Sequence, residues 1–164
     1  DPEHSEAIWN GLLDAGRDAG ILPCGLGARN TLRMEAAMAL YGHEIDDTTT
    51  PLEAGLAWIT KLGKPEFLGK AVLEQQQRDG LQRKLVGFEM MEPGIGRDGY
   101  PVLHQGREIG HVTSGGPAPF LQKNIGMAYV PVALSAPGTE LEIQIRNRTA
   151  RAQVVPLPFY KRSR

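Results

Sequence analysis

Two arginines, Arg29 and Arg33, lie four residues apart near the start of a predicted helix, and this placement is chemically unusual. A cation close to a helix N-terminus opposes the helix dipole. Two like charges at positions i and i+4 also repel each other, which destabilises an isolated helix by about 0.2–0.5 kcal/mol. Because departures from local rules tend to occur at functional sites, the pair predicts a site that binds an anion.

The other reactive side chains do not form a second catalytic or metal-binding pattern. His43, His104 and His111 lack the spacing of metal ligands and have no cysteine nearby, so no zinc site is expected. The single cysteine, Cys24, has no partner for nucleophilic catalysis and is predicted to be a small buried side chain. A Gly-Leu-Gly step precedes the helix, but the remaining residues of a nucleotide-binding loop are missing.

Composition and charge restrict the class of protein. Of the 164 residues, 41% are hydrophobic and 23% are charged, as in a globular protein with an apolar core. The 18 Lys and Arg residues are balanced by 19 Asp and Glu residues, so duplex nucleic acid is not an expected partner. One cysteine favours a reducing compartment, and no apolar run is long enough for a bilayer. Because the sequence starts at Asp1 without a methionine, we expect it to be part of a longer protein.

Three helices are predicted in the first half of the chain, where they position the arginine pair. They cover about Glu3 to Ala19, Gly27 to Leu40, and Lys64 to Gly80. An apolar run between the second and third helices predicts a buried strand at about Gly55 to Thr60. The third helix is expected to turn four apolar side chains inward: Phe67, Leu68, Ala71 and Val72.

From Arg83 onward, short alternating runs separated by Gly, Pro and Asn predict a small antiparallel barrel or sandwich. A domain boundary is therefore expected near residue 82. The predicted strands cover Lys84 to Met91, Pro101 to Leu103, Glu108 to Ser114, Ile125 to Val130, Glu140 to Ile145 and Ala150 to Val155.

Four blocks of the sequence, in this order, resemble a known family. They are GLGARNTLRMEAAMALYGHEID from residue 25, TTTPLEAGLAWITKL from residue 48, HVTSGGPAPFLQKNIGMAYV from residue 111 and PGTELEIQIRNRTARAQVVPLPFYK from residue 137. The chain thereby resembles the C-terminal portion of the glycine cleavage system T-protein, an aminomethyltransferase. The resemblance implies an α+β fold, with the tail end of an α/β folate-binding region over residues 1–82, incomplete, and a small antiparallel β-barrel domain over residues 83–164.

The resemblance also implies a reaction. The one-carbon unit of an aminomethyl group on the dihydrolipoyl arm of H-protein passes to tetrahydrofolate, which is a substrate, and ammonia is released without a metal. A carboxylate close to the carbon that gains cationic character stabilises that charge, and in the family it belongs to an aspartate of the N-terminal portion. No aspartate of this chain matches it. No catalytic residue is therefore assigned, and the chain alone is expected to be inactive.

Three residues are assigned to folate binding by the resemblance. Arg29 matches the family arginine that contacts folate, and its planar guanidinium suits paired hydrogen bonds to a carboxylate or a pterin edge. A salt bridge elsewhere in the fold is the alternative for Arg29. Tyr160 and Arg162 follow a Pro-Phe step after which the family chain folds back toward the folate pocket. A solvated basic tail is the alternative for these two residues.

Two further residues near the expected pocket are assigned structural roles. Arg33 is expected to form a buried ion pair with Glu35 or Glu53. Trp58 is expected in the core, and the alternative is that its ring lines a pteridine pocket by stacking.

Other functions stay open at this point. One is a folate-binding relative without transfer activity, of the iron–sulfur assembly type, and another is a non-enzymatic interaction barrel. Arg146, Arg148 and Arg151 form only a short basic hairpin, which is weak for a single-stranded RNA groove. The folate domain of a dimethylglycine or sarcosine oxidising flavoenzyme shares the general pattern but departs from GARN and YGHEI. The expected partners are lipoylated H-protein and tetrahydrofolate, without nucleic acid or membrane, in the cytoplasm or, for a eukaryotic source, the mitochondrial matrix.

Overall fold

The computed structural model of the chain describes residues 1–162, which form two compact units. The first unit is Asp1–Asn30, and the second begins at Thr31. Three α-helices precede six strands in the order of the described chain. No helix among these residues has the length and apolar character needed to cross a membrane.

The first unit contains helix α1, which covers Ser5–Ala15 between two short 3-10 helices, Pro2–His4 and Arg17–Ala19. The single helix predicted over this segment is therefore divided into three pieces. The Asp1 carboxylate accepts a hydrogen bond from the Glu3 N–H at 3.3 Å and caps the first piece. Gly20 ends the last piece with a φ of 72°, a conformation that glycine adopts without steric cost.

Helix α2 covers Leu26–Glu35 and ends five residues earlier than predicted. The Met38 N–H donates to the Arg33 carbonyl at 2.8 Å, and the Ala37 N–H donates to the Met34 carbonyl at 2.9 Å. This pair of hydrogen bonds is the Schellman ending of a helix, with Ala37 left-handed at a φ of 54°. The helix therefore stops at an alanine, although such positions usually hold glycine.

Residues 51–59 form consecutive turns, so the buried strand predicted near this position is wrong. The Leu56 N–H donates to the Pro51 carbonyl at 2.8 Å, and Gly55 has a φ of 73°, so the backbone reverses where the apolar run predicts an extended chain. Trp58 is 73% exposed and lies outside the core, contrary to its expected role.

Helix α3 covers Lys70–Asp79, and its start is later than predicted. Leu73 is the buried side chain of this helix. The four side chains predicted to face inward are exposed, which corrects that prediction: Phe67, Leu68, Ala71 and Val72.

Six antiparallel strands close into a barrel in the order β1-β4-β3-β2-β5-β6. Their closure confirms the α+β fold and selects the barrel over the sandwich. Each strand overlaps its predicted range, because short apolar or alternating runs are bounded by turn residues that mark the strand ends. The bounds are Arg83–Met90 for β1, Pro101–His104 for β2, Arg107–Ala118 for β3, Lys123–Pro131 for β4, Glu140–Ile145 for β5 and Arg148–Val155 for β6.

The interior of the barrel is a continuous apolar core centred on Phe88, which is fully buried. The chain after β6 crosses the outside of β1 at Gly87, where an added Cβ would lie 2.9 Å from the Phe159 ring and in collision with Leu157. The barrel therefore holds the C-terminal segment closely against its first strand. The buried core residues are Val86, Phe88, Val102, Val112, Ala128, Val130, Leu141, Ile143, Ala152 and Val154.

Candidate functional site

Arg29 lies in the first turn of α2, where its N–H donates to the Gly25 carbonyl at 3.2 Å. Its side chain is exposed. None of the ion pairs found among residues 1–162 includes Arg29, so those residues do not show the salt bridge that was its alternative. The guanidinium is therefore accessible to an anion or to a planar hydrogen-bonding ligand.

Arg33 lies one turn further along α2 and has a different environment. Its Nη1 is 2.8 Å from Oε2 of Glu44, and its Nη2 donates to Oγ of Ser114 at 2.8 Å. The Arg33 side chain is 10% exposed and that of Glu44 is fully buried. The expected buried ion pair is present, but its partner is Glu44, whereas Glu35 and Glu53 were predicted.

Both carboxylate oxygens of Glu44 are hydrogen-bonded. Oε2 also accepts from the Leu40 N–H at 3.0 Å, and Oε1 accepts from the Thr113 hydroxyl at 2.8 Å. The Tyr129 hydroxyl donates to the backbone carbonyl of Glu44 at 2.8 Å. Burial raises the pKa of Tyr129 well above its usual value, so this hydroxyl stays protonated and keeps donating at physiological pH. The hydrogen bonds that the Glu44 carboxylate accepts come from within the fold, so this carboxylate has a structural role.

These bonds attach the C-terminal half of α2 and the following loop to strand β3. Ser114 and Thr113 lie at an irregularity in the pairing of β3 with β4, which lets both neighbouring residues be buried. The two arginines therefore have separate roles in the structure: Arg33 anchors the helix, and Arg29 is exposed.

The C-terminal segment is fixed as far as Tyr160. The Tyr160 N–H donates to the backbone carbonyl of Glu35 at 2.9 Å, and the Tyr160 ring meets the Phe120 ring edge-to-face with a centroid distance of 4.8 Å. The buried Glu35 carboxylate accepts from the Phe120 N–H at 3.1 Å. Glu35 therefore holds both aromatic residues, while 37% of Tyr160 remains exposed for contact with a ligand.

Arg162 is exposed and lies two residues beyond Tyr160. Tyr160 and Arg162 belong to the second compact unit, whereas Arg29 belongs to the first. The contact between the Tyr160 and Phe120 rings was not predicted from the sequence, because Phe120, Glu35 and Tyr160 come from three distant segments. The apolar residues before Tyr160, which are Leu157, Pro158 and Phe159, were the available signal.

A third buried carboxylate, Glu53, pairs with Arg83 at 2.9 Å. Burial of this carboxyl raises its pKa, but hydrogen bonds from Thr50 and Arg83 outweigh burial, so the pKa of Glu53 lies below its usual value. The Arg83 guanidinium also lies 4.9 Å from the centre of the Tyr129 ring. Glu53 is thus ionised and structural, and it joins the segment before the barrel to β1.

The remaining chemistry-bearing residues do not assemble into a site. No group of three or more His, Cys, Asp and Glu side chains within residues 1–162 is placed to hold a metal ion. Cys24 is exposed, which corrects the prediction that it is buried. Nδ1 of His43 lies 3.0 Å from an Asp98 carboxylate oxygen and 3.2 Å from the Thr113 carbonyl, in a polar contact at the barrel surface.

Comparison with known families assigns both parts of the chain. The family described as the glycine cleavage T-protein C-terminal barrel domain matches residues 83–161, and the family described as the GCVT N-terminal domain matches residues 1–64. The chain belongs to the glycine cleavage T-protein family. The prediction made from the four sequence blocks is thereby confirmed.

Individual members of the T-protein family agree with this assignment. Aminomethyltransferase of Acidobacterium capsulatum is 53% identical over 164 residues, covering 99% of this chain and 43% of the relative. Aminomethyltransferase of Symbiobacterium thermophilum is 53% identical over 160 residues, covering 97% of this chain and 43% of the relative. The crystal structure of glycine cleavage system aminomethyltransferase T from Bartonella henselae superposes with a TM-score of 0.86 at 34% identity, covering 95% of this chain and 44% of that one. The chain therefore spans less than half the length of these relatives.

Proposed function

We propose that this chain is the C-terminal part of an aminomethyltransferase of the glycine cleavage system. The parent protein transfers the one-carbon unit from the aminomethyl-dihydrolipoyl arm of H-protein to tetrahydrofolate and releases ammonia. The observation that carries the proposal is the 53% identity to a curated aminomethyltransferase across 99% of the chain. Neither alternative, the non-transferring folate-binding relative or the interaction barrel, has an observation of this kind in its favour.

Arg29, Tyr160 and Arg162 are the residues that bind folate in this proposal. The exposed Arg29 guanidinium supplies a planar set of N–H donors for a pterin edge or a carboxylate. The Tyr160 ring packs against Phe120, the Tyr160 backbone N–H donates to the Glu35 carbonyl, and the phenol offers a polar group to the ligand. Arg162 offers a second cation for the acidic tail of the substrate. Residues 1–82 then belong to the folate-binding region and residues 83–164 to the barrel domain.

The chain supplies no catalytic residue in this proposal. The three buried carboxylates found among residues 1–162 are each occupied by hydrogen bonds within the fold: Glu35, Glu44 and Glu53. A carboxylate committed in this way is not free to stabilise a positive charge that develops on a substrate carbon. The carboxylate that does so belongs to the part of the parent that precedes residue 1, and the isolated chain is inactive.

The partners of the parent are lipoylated H-protein and tetrahydrofolate, and no metal takes part in the transfer. The curated relatives named above are bacterial. The parent protein acts in the cytoplasm in a bacterial source.

Replacing Arg29 in the full-length parent tests the folate assignment. We expect Arg29→Ala to weaken tetrahydrofolate binding by about 1–3 kcal/mol, the range for loss of a charge-assisted hydrogen bond. Isothermal titration calorimetry measures the dissociation constant directly. Arg17→Ala is the matched control, because Arg17 is another exposed arginine of the first unit and pairs with Asp14 at the surface. An unchanged dissociation constant for Arg29→Ala, or an equal loss in the control, would reject the role of Arg29.

A further inference from the structure

A pocket of about 550 Å³ opens at one end of the barrel, and none of the residues assigned to folate lines it. One wall is the loop between β1 and β2, with Ile95, Arg97 and Tyr100, and the other is the tight hairpin between β5 and β6. The volume lies within the range of small-molecule sites, which is about 300–1,000 Å³. All of its walls belong to the second compact unit.

The side chains that line this pocket are positively charged or neutral. Three arginines line it, Arg97, Arg146 and Arg148, and none of the lining residues is acidic. Two carboxylates lie close to its walls in the sequence: Glu92 pairs with Arg151 at 2.8 Å and also interacts electrostatically with Arg148, and Asp98 lies 3.0 Å from His43. Because the whole chain has a net charge of −1, this concentration of cations is a local feature.

The structure defines the side-chain contact of one of these arginines and the backbone position of another. The Arg148 Nη2 donates to the Pro93 carbonyl at 2.5 Å, and an added Cβ on Gly94 would lie 3.4 Å from the same nitrogen. Ile145 and Arg148 are paired across the turn, which leaves Arg146 and Asn147 as its two central residues. Arg146 has a φ of 56° there, at the tip of the hairpin.

We propose that this pocket binds a small molecule that carries a phosphate or diphosphate group. Planar guanidinium groups pair with phosphate oxygens through two hydrogen bonds at once, which favours this group over an isolated negative charge. Ile95, Ile145 and the Tyr100 ring provide apolar surface for the rest of the ligand. The site uses none of the residues assigned to folate, so it is independent of the proposed transfer reaction.

Pyrophosphate is the probe for this site, and the test uses the complete 164-residue chain in about 0.1 M salt, where charges separated by more than about 10 Å are screened. We expect saturable binding by calorimetry. Arg97→Gln and Arg146→Gln should each weaken it about tenfold through loss of charge-assisted hydrogen bonds. Glutamine suits position 146, because Gln105 and Gln122 adopt nearly the same φ, 53° and 54°, elsewhere in the barrel.

Arg107→Gln is the matched control, since Arg107 is an exposed arginine at the start of β3 and does not line the pocket. This variant should bind pyrophosphate like the unmodified chain. The proposal is overturned by absence of saturable binding, by unchanged affinity in the double variant Arg97→Gln/Arg146→Gln, or by an equal loss in Arg107→Gln. Citrate is the competing probe, and binding as tight as that of pyrophosphate would overturn the assignment to phosphate.

Discussion

The barrel and the first compact unit differ in how far their apolar residues are buried. Phe88 and the strand residues around it are enclosed by six paired strands. In contrast, none of residues 1–30 is buried, and Ile8 on α1 is 59% exposed. The barrel therefore completes its own core, whereas α1 has an apolar stripe that the described residues do not cover. Periodicity predicts that a helix forms, but it does not predict what covers the helix.

The largest expected difference between the two regions is in core substitutions. Phe88→Ala should lower the free energy of unfolding by about 3–5 kcal/mol, because it leaves a cavity inside a closed barrel. Ile8→Ala on the exposed face of α1 should change it by less than about 0.5 kcal/mol. Urea denaturation of both variants measures the difference. A similar decrease in the free energy of unfolding in both variants would show that the difference in burial does not affect stability.

Ion pairs should show the same contrast at a somewhat smaller scale. Glu44→Gln leaves the Arg33 charge buried without its carboxylate partner. We expect the free energy of unfolding to fall by about 3 kcal/mol. Asp14→Asn removes the exposed ion pair of Arg17 with Asp14 in the first unit. This change should lower the free energy of unfolding by less than about 1 kcal/mol, because solvent screens the pair. Denaturation midpoints of the two variants test this. A loss below 1 kcal/mol in Glu44→Gln would contradict the anchoring role of the cluster.

The smallest expected effect is a dependence on pH that belongs to the second unit. The pKa of Glu53 is lower in the folded chain than its ordinary value of 4.5. Its contribution to stability is therefore complete above pH 4.5 and is lost as the pH falls through the lower folded value. The free energy of unfolding of Glu53→Gln should accordingly fall less steeply with acid than that of the unmodified chain. Parallel slopes for the two proteins would exclude the coupling.

The barrel could be predicted from the sequence because its signals are local. Strands β5 and β6 alternate apolar and polar residues, β1 and β4 contain short continuous apolar runs, and Gly, Pro or Asn separates each strand from the next. For the segment before the barrel, local sequence patterns gave wrong predictions. The run containing Trp58 is apolar but forms turns, and α2 ends at Ala37 without the glycine that usually marks such an end.

The site could be predicted only in outline. The like-charge pair drew attention to both arginines, and the resemblance to a family assigned folate binding to Arg29, which stays a prediction. Glu44 is 11 residues from Arg33, but the residues of β3 that complete the cluster were not predictable, because Ser114 is 81 residues from Arg33 and Thr113 is 69 residues from Glu44. The pairing of Tyr160 with Phe120 has the same origin. Such contacts depend on how the barrel closes, and no local pattern encodes them.

The most direct test of the account is formation of 5,10-methylenetetrahydrofolate from aminomethylated H-protein and tetrahydrofolate. The assay compares the full-length parent with the 164-residue chain at equal concentration. We predict product from the parent and none from the chain, because the proposal assigns folate contacts to this chain and the charge-stabilising carboxylate to the rest of the parent. Turnover by the isolated chain, or failure of the parent to form product, would contradict the account.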